Sequence, residues 1–167
     1  MAYINKTYVA FDADNDIRYY YLMQAWKQND NSGFNFLDAH GIRPSREWSN
    51  EQTIKRNLRD RLKNSRMFVC LIGESTRYLY KFVRWEIEAT IDLGIPRIGC
   101  NLNHCRTVDN ERCPPILRDS LSLHVSYGPN VLQYALEDWA VDHWQKLREG
   151  STGAFYYRPS VYQSLGL

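Results

Sequence analysis

The run MFVCLIG at positions 67–73 contains no polar side chain and no alternation of apolar with polar residues. A strand with one face in water alternates with a period of two, so an unbroken apolar strand must be covered on both faces, as central strands of parallel sheets are. A parallel sheet in turn demands crossover helices, and the flanking sequence supplies them. Ahead of the run, TYVAF is a β-branched and aromatic strand followed by the polar break DADND. The helix IRYYYLMQAWKQN comes next, with Ile17, Tyr20, Tyr21 and the Met23 to Ala25 region at helical spacing. Asn15 or Asp16 can cap it, and NDNSG ends it. FNFLDA is a short second strand, and HGIRPSREWSN, with Gly41 and Pro44, is a surface loop. A second helix, SNEQTIKRNLRDRLKNS, buries Ile54, Leu58 and Leu62 at i, i+4, i+8.

Beyond the run, KFVRWEIEATI is a helix whose expected core stripe is Val83, Ile87 and Ile91, stopped by Gly94 and Pro96. RIGCNL is a fourth strand, NHCRTVDNERCPPILRDS a long polar connection and LSLHVSY a fifth strand. The last helix, NVLQYALEDWAVDHWQKLRE, places Val131, Tyr134 or Ala135, Trp139 and Leu147 near one face. Alternating strands and helices predict an α/β fold: an open, doubly wound, five-strand parallel sheet, flavodoxin-like, in three α/β/α layers. With 167 residues, a single domain is expected, with 6–128 as the sheet core, 129–149 as a C-terminal helix and 150–167 as an irregular aromatic tail.

Composition narrows the function classes. A net charge of +2 makes no electrostatic case for nucleic acid or an anionic membrane. No apolar run of about 18 residues spans a bilayer, and MAYINKTYVAF lacks the charged and apolar regions of a signal peptide, so a cytoplasmic protein is expected. Cys70 lies inside the apolar run and reads as core. Cys100, His104, Cys105 and Cys113 invite a zinc reading, but their spacing forms no paired CxxC knuckle; no metal site is expected.

In an open α/β sheet, ligands bind outside the carboxyl ends of the strands at the switch between the first and third. That selects FDADND, DAHGIRPSREWSN and GESTRYLYKFVRWE. Neither GxGxxG nor GxxxxGK[ST] occurs, which argues against a Rossmann dinucleotide site or a P-loop. Asp12 and Asp14 suit a phosphoacceptor receiver domain, but LIGES places Gly73 and Glu74 where the aspartate nucleophile would end the third strand. Loop solvation or helix capping also accounts for both aspartates. Ser75 with a histidine and an aspartate sketches a hydrolase triad without a G-x-S-x-G elbow, and His40 reads as loop decoration. What remains is a carboxylate in KFVRWEIEATI.

Taken together, TYVAFDADND, LRDRLKNSRMFVCLIGEST and FVRWEI resemble a TIR-like domain, specifically the bacterial group containing the TIR-like subunit of the Thoeris anti-phage system. The resemblance covers about Lys6 to Asn101. Enzymatic TIR domains cleave NAD+ with a glutamate early in the helix after the third strand, preceded by an aromatic residue, commonly Trp, four positions earlier. Here Phe82-Val83-Arg84-Trp85-Glu86-Ile87 implies Glu86 as the catalytic carboxylate, with Phe82 replacing the usual Trp. Glu88 is turned about 200° around the helix and should face solvent. Phe11, Asp12, Asp14, Asn15, Trp48, Ser75, Phe82 and Trp85 are the accompanying substrate-binding candidates. Two departures from the family pattern concern the site. AFDADND replaces the usual Ser or His and aromatic after the first strand, and Trp48 is the stacking candidate of the loop after the second.

The resemblance implies NAD+ as substrate rather than cofactor, and an ADP-ribose-derived product, expected to be cyclic. That product would act as a diffusible signal to a separate effector protein, and a homo-oligomer would accompany it. Two alternatives compete with this enzyme: a non-enzymatic TIR-like interaction module in which Glu86 is a solvated helix-start acid, and a nucleotide glycosyl-transfer enzyme on a related fold.

Overall fold

The computed structural model describes residues 6–29, 37–38 and 50–167. The strands are β1 (Lys6–Ala10), β2 (Leu37–Asp38), β3 (Met67–Ile72), β4 (Arg97–Asn101), β5 (Ser122–Ser126) and β6 (Ala154–Tyr156). The helices are α1 (Ile17–Gln28), α2 (Glu51–Lys63), α3 (Phe82–Leu93), α4 (Pro115–Asp119), α5 (Pro129–Arg148) and α6 (Pro159–Ser164). All strand pairs are parallel, in the order β2-β1-β3-β4-β5-β6. The predicted five-strand doubly wound sheet is present, with a sixth strand added at the β5 edge.

All six residues of β3 are buried, as an unbroken apolar run requires. Met67, Val69 and Leu71 join one core with Tyr20 and Met23 of α1 and with Val131, Ala135 and Trp139 of α5. Phe68, Cys70 and Ile72 join the other with Leu62 of α2, Val83 and Ile87 of α3 and Leu117 of α4. Burying a Val, Leu or Ile side chain contributes about 1.5–3 kcal/mol before entropy is charged, so β3 anchors both layers at once. Asn50 caps α2 by accepting from the Thr53 N–H at 2.9 Å.

Several predicted positions shift. Ile91 is 39 % exposed, and Thr90, fully buried, completes the α3 stripe in its place. Relative to Val83, Ile87 is turned about +40° and Thr90 about −20°, whereas Ile91 has drifted about +80° toward water. Glu86, at about −60°, falls on the buried side. Gly94 ends α3 in the left-handed conformation, its N–H returning to the Thr90 and Ile91 carbonyls. Tyr21 and Leu147 are exposed; in α5 the buried row Val131, Ala135, Trp139 continues to His143 and stops before the last turn.

The tail is ordered rather than irregular. Gly153, at φ 86°, adopts the backbone that lets the chain reverse after α5, and its carbonyl accepts from Ser122 N at 3.1 Å. Ala154–Tyr156 then pairs with Ser122–His124, and Tyr162 of α6 is fully buried with its hydroxyl accepting from Ser126 N at 3.1 Å. The Gly and Ser residues at its start mark only the turn, and the aromatic segment after them is regular. The long connection also contains α4, which starts on a proline suited to a first turn.

Candidate active site

The site is built where β1 and β3 lie side by side and their following connections diverge, one to α1 on one face and the other to α3 on the opposite face. Glu86 stands in the second turn of α3 and is 2 % exposed. Its Oε1 accepts a hydrogen bond from the Tyr8 hydroxyl at 2.7 Å. Tyr8, in the middle of β1, is fully buried, and its ring stacks on Phe68 of β3 at 6.1 Å and 14°. Cys70 of β3 shares this neighbourhood: burial pushes its thiol well above the usual range, with Cys113 and Glu86 adding to the effect. The reading of Glu86 as a solvated acid is overturned by its burial. Glu88 does face outward, accepting from Arg84 Nε at 2.9 Å on the surface of the helix.

One turn nearer the carboxyl end of the sheet, Phe82 and Val83 form a wall of a cavity of about 550 Å³. Phe11, Asp12, Ala13 and Asp14 line it from the β1–α1 connection, and Tyr78, Tyr80 and Lys81 from the β3–α3 connection. Phe11 is held by stacking on Tyr20 at 4.9 Å. The Phe82 ring meets Trp85 edge-on at 5.6 Å. Trp85 itself carries the Lys55 ammonium of α2 over its ring at 4.9 Å, so it packs between α2 and α3 and does not line this cavity.

A second concavity, of about 380 Å³, lies on the other side of the Asp12–Asp16 turn. Asn15 and Ser75 open onto it, with Asp16, Arg18, Glu74 and Arg112 among its polar walls. The predicted substrate residues are therefore divided: Phe11, Asp12, Asp14 and Phe82 on one side, Asn15 and Ser75 on the other. Asp12 makes the division. Its Oδ1 accepts from the Asp14 and Asn15 backbone at 3.1 and 3.3 Å, and its Oδ2 accepts from Asn15 Nδ2 at 2.7 Å. That is a turn-forming aspartate. Asp16 comes next in the turn, 7 % exposed, its carboxyl pushed up by burial and by neighbouring Asp12. It packs so closely over Gly73 that a Cβ there would collide with the Asp16 carboxylate.

Trp48 lies outside the described residues, as does His40. Among the described residues no group of three His, Cys, Asp or Glu side chains could hold a metal ion. Cys100 and Cys113 are buried in the core, where desolvation raises both thiols, Cys113 to about 12. Sequence reasoning missed Tyr8, Tyr78, Tyr80 and Asp16. A signal existed for Tyr8: a tyrosine in a strand pressed against the buried run must find a partner for its hydroxyl.

The sequence that builds this site matches a known family. Residues 8–107, more than half of the chain, match the model of the Thoeris protein ThsB TIR-like domain. The chain belongs to this family. The matched span contains Tyr8, the whole wall of the larger cavity and Glu86, and it ties the chain to the Thoeris anti-phage system. It ends in the loop after β4, leaving α4, β5, α5, β6 and α6 beyond the match. No curated protein matches the chain. Among solved structures, the crystal structure of a conserved protein from Enterococcus faecalis V583 aligns over 98 % of both chains at 13 % identity, with a TM-score of 0.43.

Proposed function

We propose that this ThsB-family TIR-like chain cleaves the nicotinamide–ribose bond of NAD+ and releases an ADP-ribose-derived nucleotide that activates a separate effector in anti-phage defence. The observation that carries the reading is Glu86: a buried carboxylate, hydrogen-bonded by Tyr8, one helical turn beneath the wall of a cavity at the sheet's switch point. A volume of about 550 Å³ lies within the range of small-molecule sites.

The chemistry asks little of the protein. The C1′–N bond breaks with its electron pair going to the pyridinium nitrogen, so nicotinamide leaves neutral and needs no general acid. Positive charge develops on the ribose as an oxocarbenium-like centre, which one carboxylate stabilises. Out of bulk water that attraction strengthens, because the effective dielectric falls. Phe11, Phe82, Tyr78 and Tyr80 supply the apolar surround that excludes water and stacks on planar rings. Capture of the cation by a nitrogen of the adenine end gives a cyclic product, and capture by water gives ADP-ribose and a proton. Because Glu86 is 2 % exposed, catalysis in this reading requires the Phe82 turn of α3 to move aside as substrate enters. Self-assembly of the chain is one way to drive that movement.

Incubation with NAD+, with nicotinamide release followed by chromatography, tests the proposal. Release by the wild type and its loss in Glu86→Gln support it, whereas equal release by both overturns the role of Glu86. One observation favours a second reading, the non-enzymatic TIR-like module: the Tyr8–Glu86 hydrogen bond ties β1 to α3 whether or not substrate ever binds. Equal protection from infection by wild type and Glu86→Gln, each expressed with its Thoeris partner, would select that reading.

A further inference from the structure

The geometry points to Tyr8 as a positioning residue that fixes the orientation and charge of the Glu86 carboxylate, an inference that rests on the proposed role of Glu86. Three observations converge on it. First, Tyr8 cannot easily shift: β1 is paired on both sides, to β2 and β3, with Tyr8 directly opposite Phe68. Second, its ring is stacked on Phe68 and fully buried, so the hydroxyl is delivered to one place. Third, that place is Glu86 Oε1, at 2.7 Å, a well-formed O–H···O hydrogen bond.

A phenol has one proton to give. Donated to Oε1, it sets rotation of the carboxylate plane and favours the ionised form over the protonated one. A carboxylate that must stabilise a developing cation needs both properties, since a protonated or rotated acid supplies no directed charge. The residue is not catalytic in itself, because it acts through Glu86. Cys70 of β3 is a further titratable group close enough to feel the Glu86 charge, with Cys113 beyond it. From α2, Lys55 faces Trp85 and Arg59 faces Asp92, both on the outer side of α3.

A merely structural hydrogen bond would change stability without changing the acid limb of the activity profile, which decides the test. The proteins compared are wild type, Tyr8→Phe, which keeps the ring, and the full chain carrying 3-fluorotyrosine at position 8, a stronger donor of the same shape. Nicotinamide release from NAD+ is measured against pH, and the Glu86 side-chain carboxyl is titrated by carbon-13 NMR in the same samples. Tyr8→Phe should lower kcat about tenfold with KM little changed. It should also move the acid limb and the Glu86 midpoint up by about one pH unit, and fluorotyrosine should move both down. A Glu86 midpoint that is the same in all three overturns the inference, and the NMR arm decides this even without turnover. Glu86→Gln, assayed alongside, separates the two failures. Release retained in Glu86→Gln removes the catalytic reading, while a silent Glu86→Gln with an unshifted Tyr8→Phe removes only the positioning role.

Discussion

Among the described residues, two sets of buried polar groups differ in what surrounds them. Tyr8 and Glu86 meet between β1 and α3, one turn below a cavity at the carboxyl ends of the strands. Arg97, His124 and His143 lie toward β4, β5 and α5, each nine-tenths or more buried. The Arg97 guanidinium is spent on main-chain carbonyls, donating to Thr90, Ile95 and Leu121 at 3.0–3.2 Å, and so stitches the end of α3 to the turn before β5. His124 Nε2 lies 3.0 Å from Ser122 Oγ, within its own strand. Burial alone is therefore a poor guide to function. The polar group beside a ligand-sized space is the chemical candidate, and those between packed layers join secondary structure at a desolvation cost.

That contrast can be broken most sharply at Glu86. Glu86→Gln should reduce nicotinamide release by about a hundredfold or more while shifting the melting temperature by only a few degrees, as measured by calorimetry on the same samples. His124→Gln should show the reverse pattern, with stability altered and release retained.

The second cluster carries a pH signature. Burial depresses His124 to about 4, and burial together with the Arg97 charge depresses His143 to about 4, from an ordinary value of 6.5. Above pH 6.5 both rings are neutral, folded or unfolded, and cost nothing. As pH falls from 6.5 toward 4 the unfolded chain takes up protons that the folded chain refuses, so stability declines, by about 3 kcal/mol for His124 alone across that window. Urea unfolding between pH 7 and pH 4 should show this slope, and His124→Gln should flatten it.

Gly73→Ala probes the boundary between the two concavities. The added Cβ would strike the Asp16 carboxylate, and an expected loss of about 1–3 kcal/mol in stability, read from the denaturant midpoint, measures how far the β1–α1 turn can yield. The smallest effect belongs to Glu88→Gln. Removing the exposed Arg84–Glu88 pair should change stability by less than about 0.5 kcal/mol and leave release unaltered, which sets the two glutamates of α3 apart in a single assay.

How much of the fold and site is legible in the sequence depends on how local each signal is. The MFVCLIG run implies a doubly covered strand, and β3 is one, because a strand that is apolar on both faces leaves water only when both faces are covered. Gly94 marks the end of α3, and Asn50 caps α2, because caps and stops act within a few residues. The α3 stripe departs from its predicted course by one residue at its far end. Spacing by fours drifts off a helix of about 3.6 residues per turn, so Thr90, not Ile91, points inward. The tail departs further, because β6 exists only by virtue of the β5 edge to which it bonds, and a three-residue strand has no periodicity to read.

Local sequence was enough to dictate the order of the first five strands and of α1, α2, α3 and α5, the family motif around Glu86 and the outward placement of Glu88, since each is written in spacing along one element. Tertiary packing was needed to bring Tyr8 to Glu86 across 78 positions of chain, to separate Asn15 and Ser75 from Phe11 and Phe82 at the Asp12 turn, and to set Trp85 against Lys55. Such relations depend on which strands become neighbours and how their connections part at the switch point. Backbone pairing and the packing of whole layers fix those distances, and no local stretch of sequence encodes them.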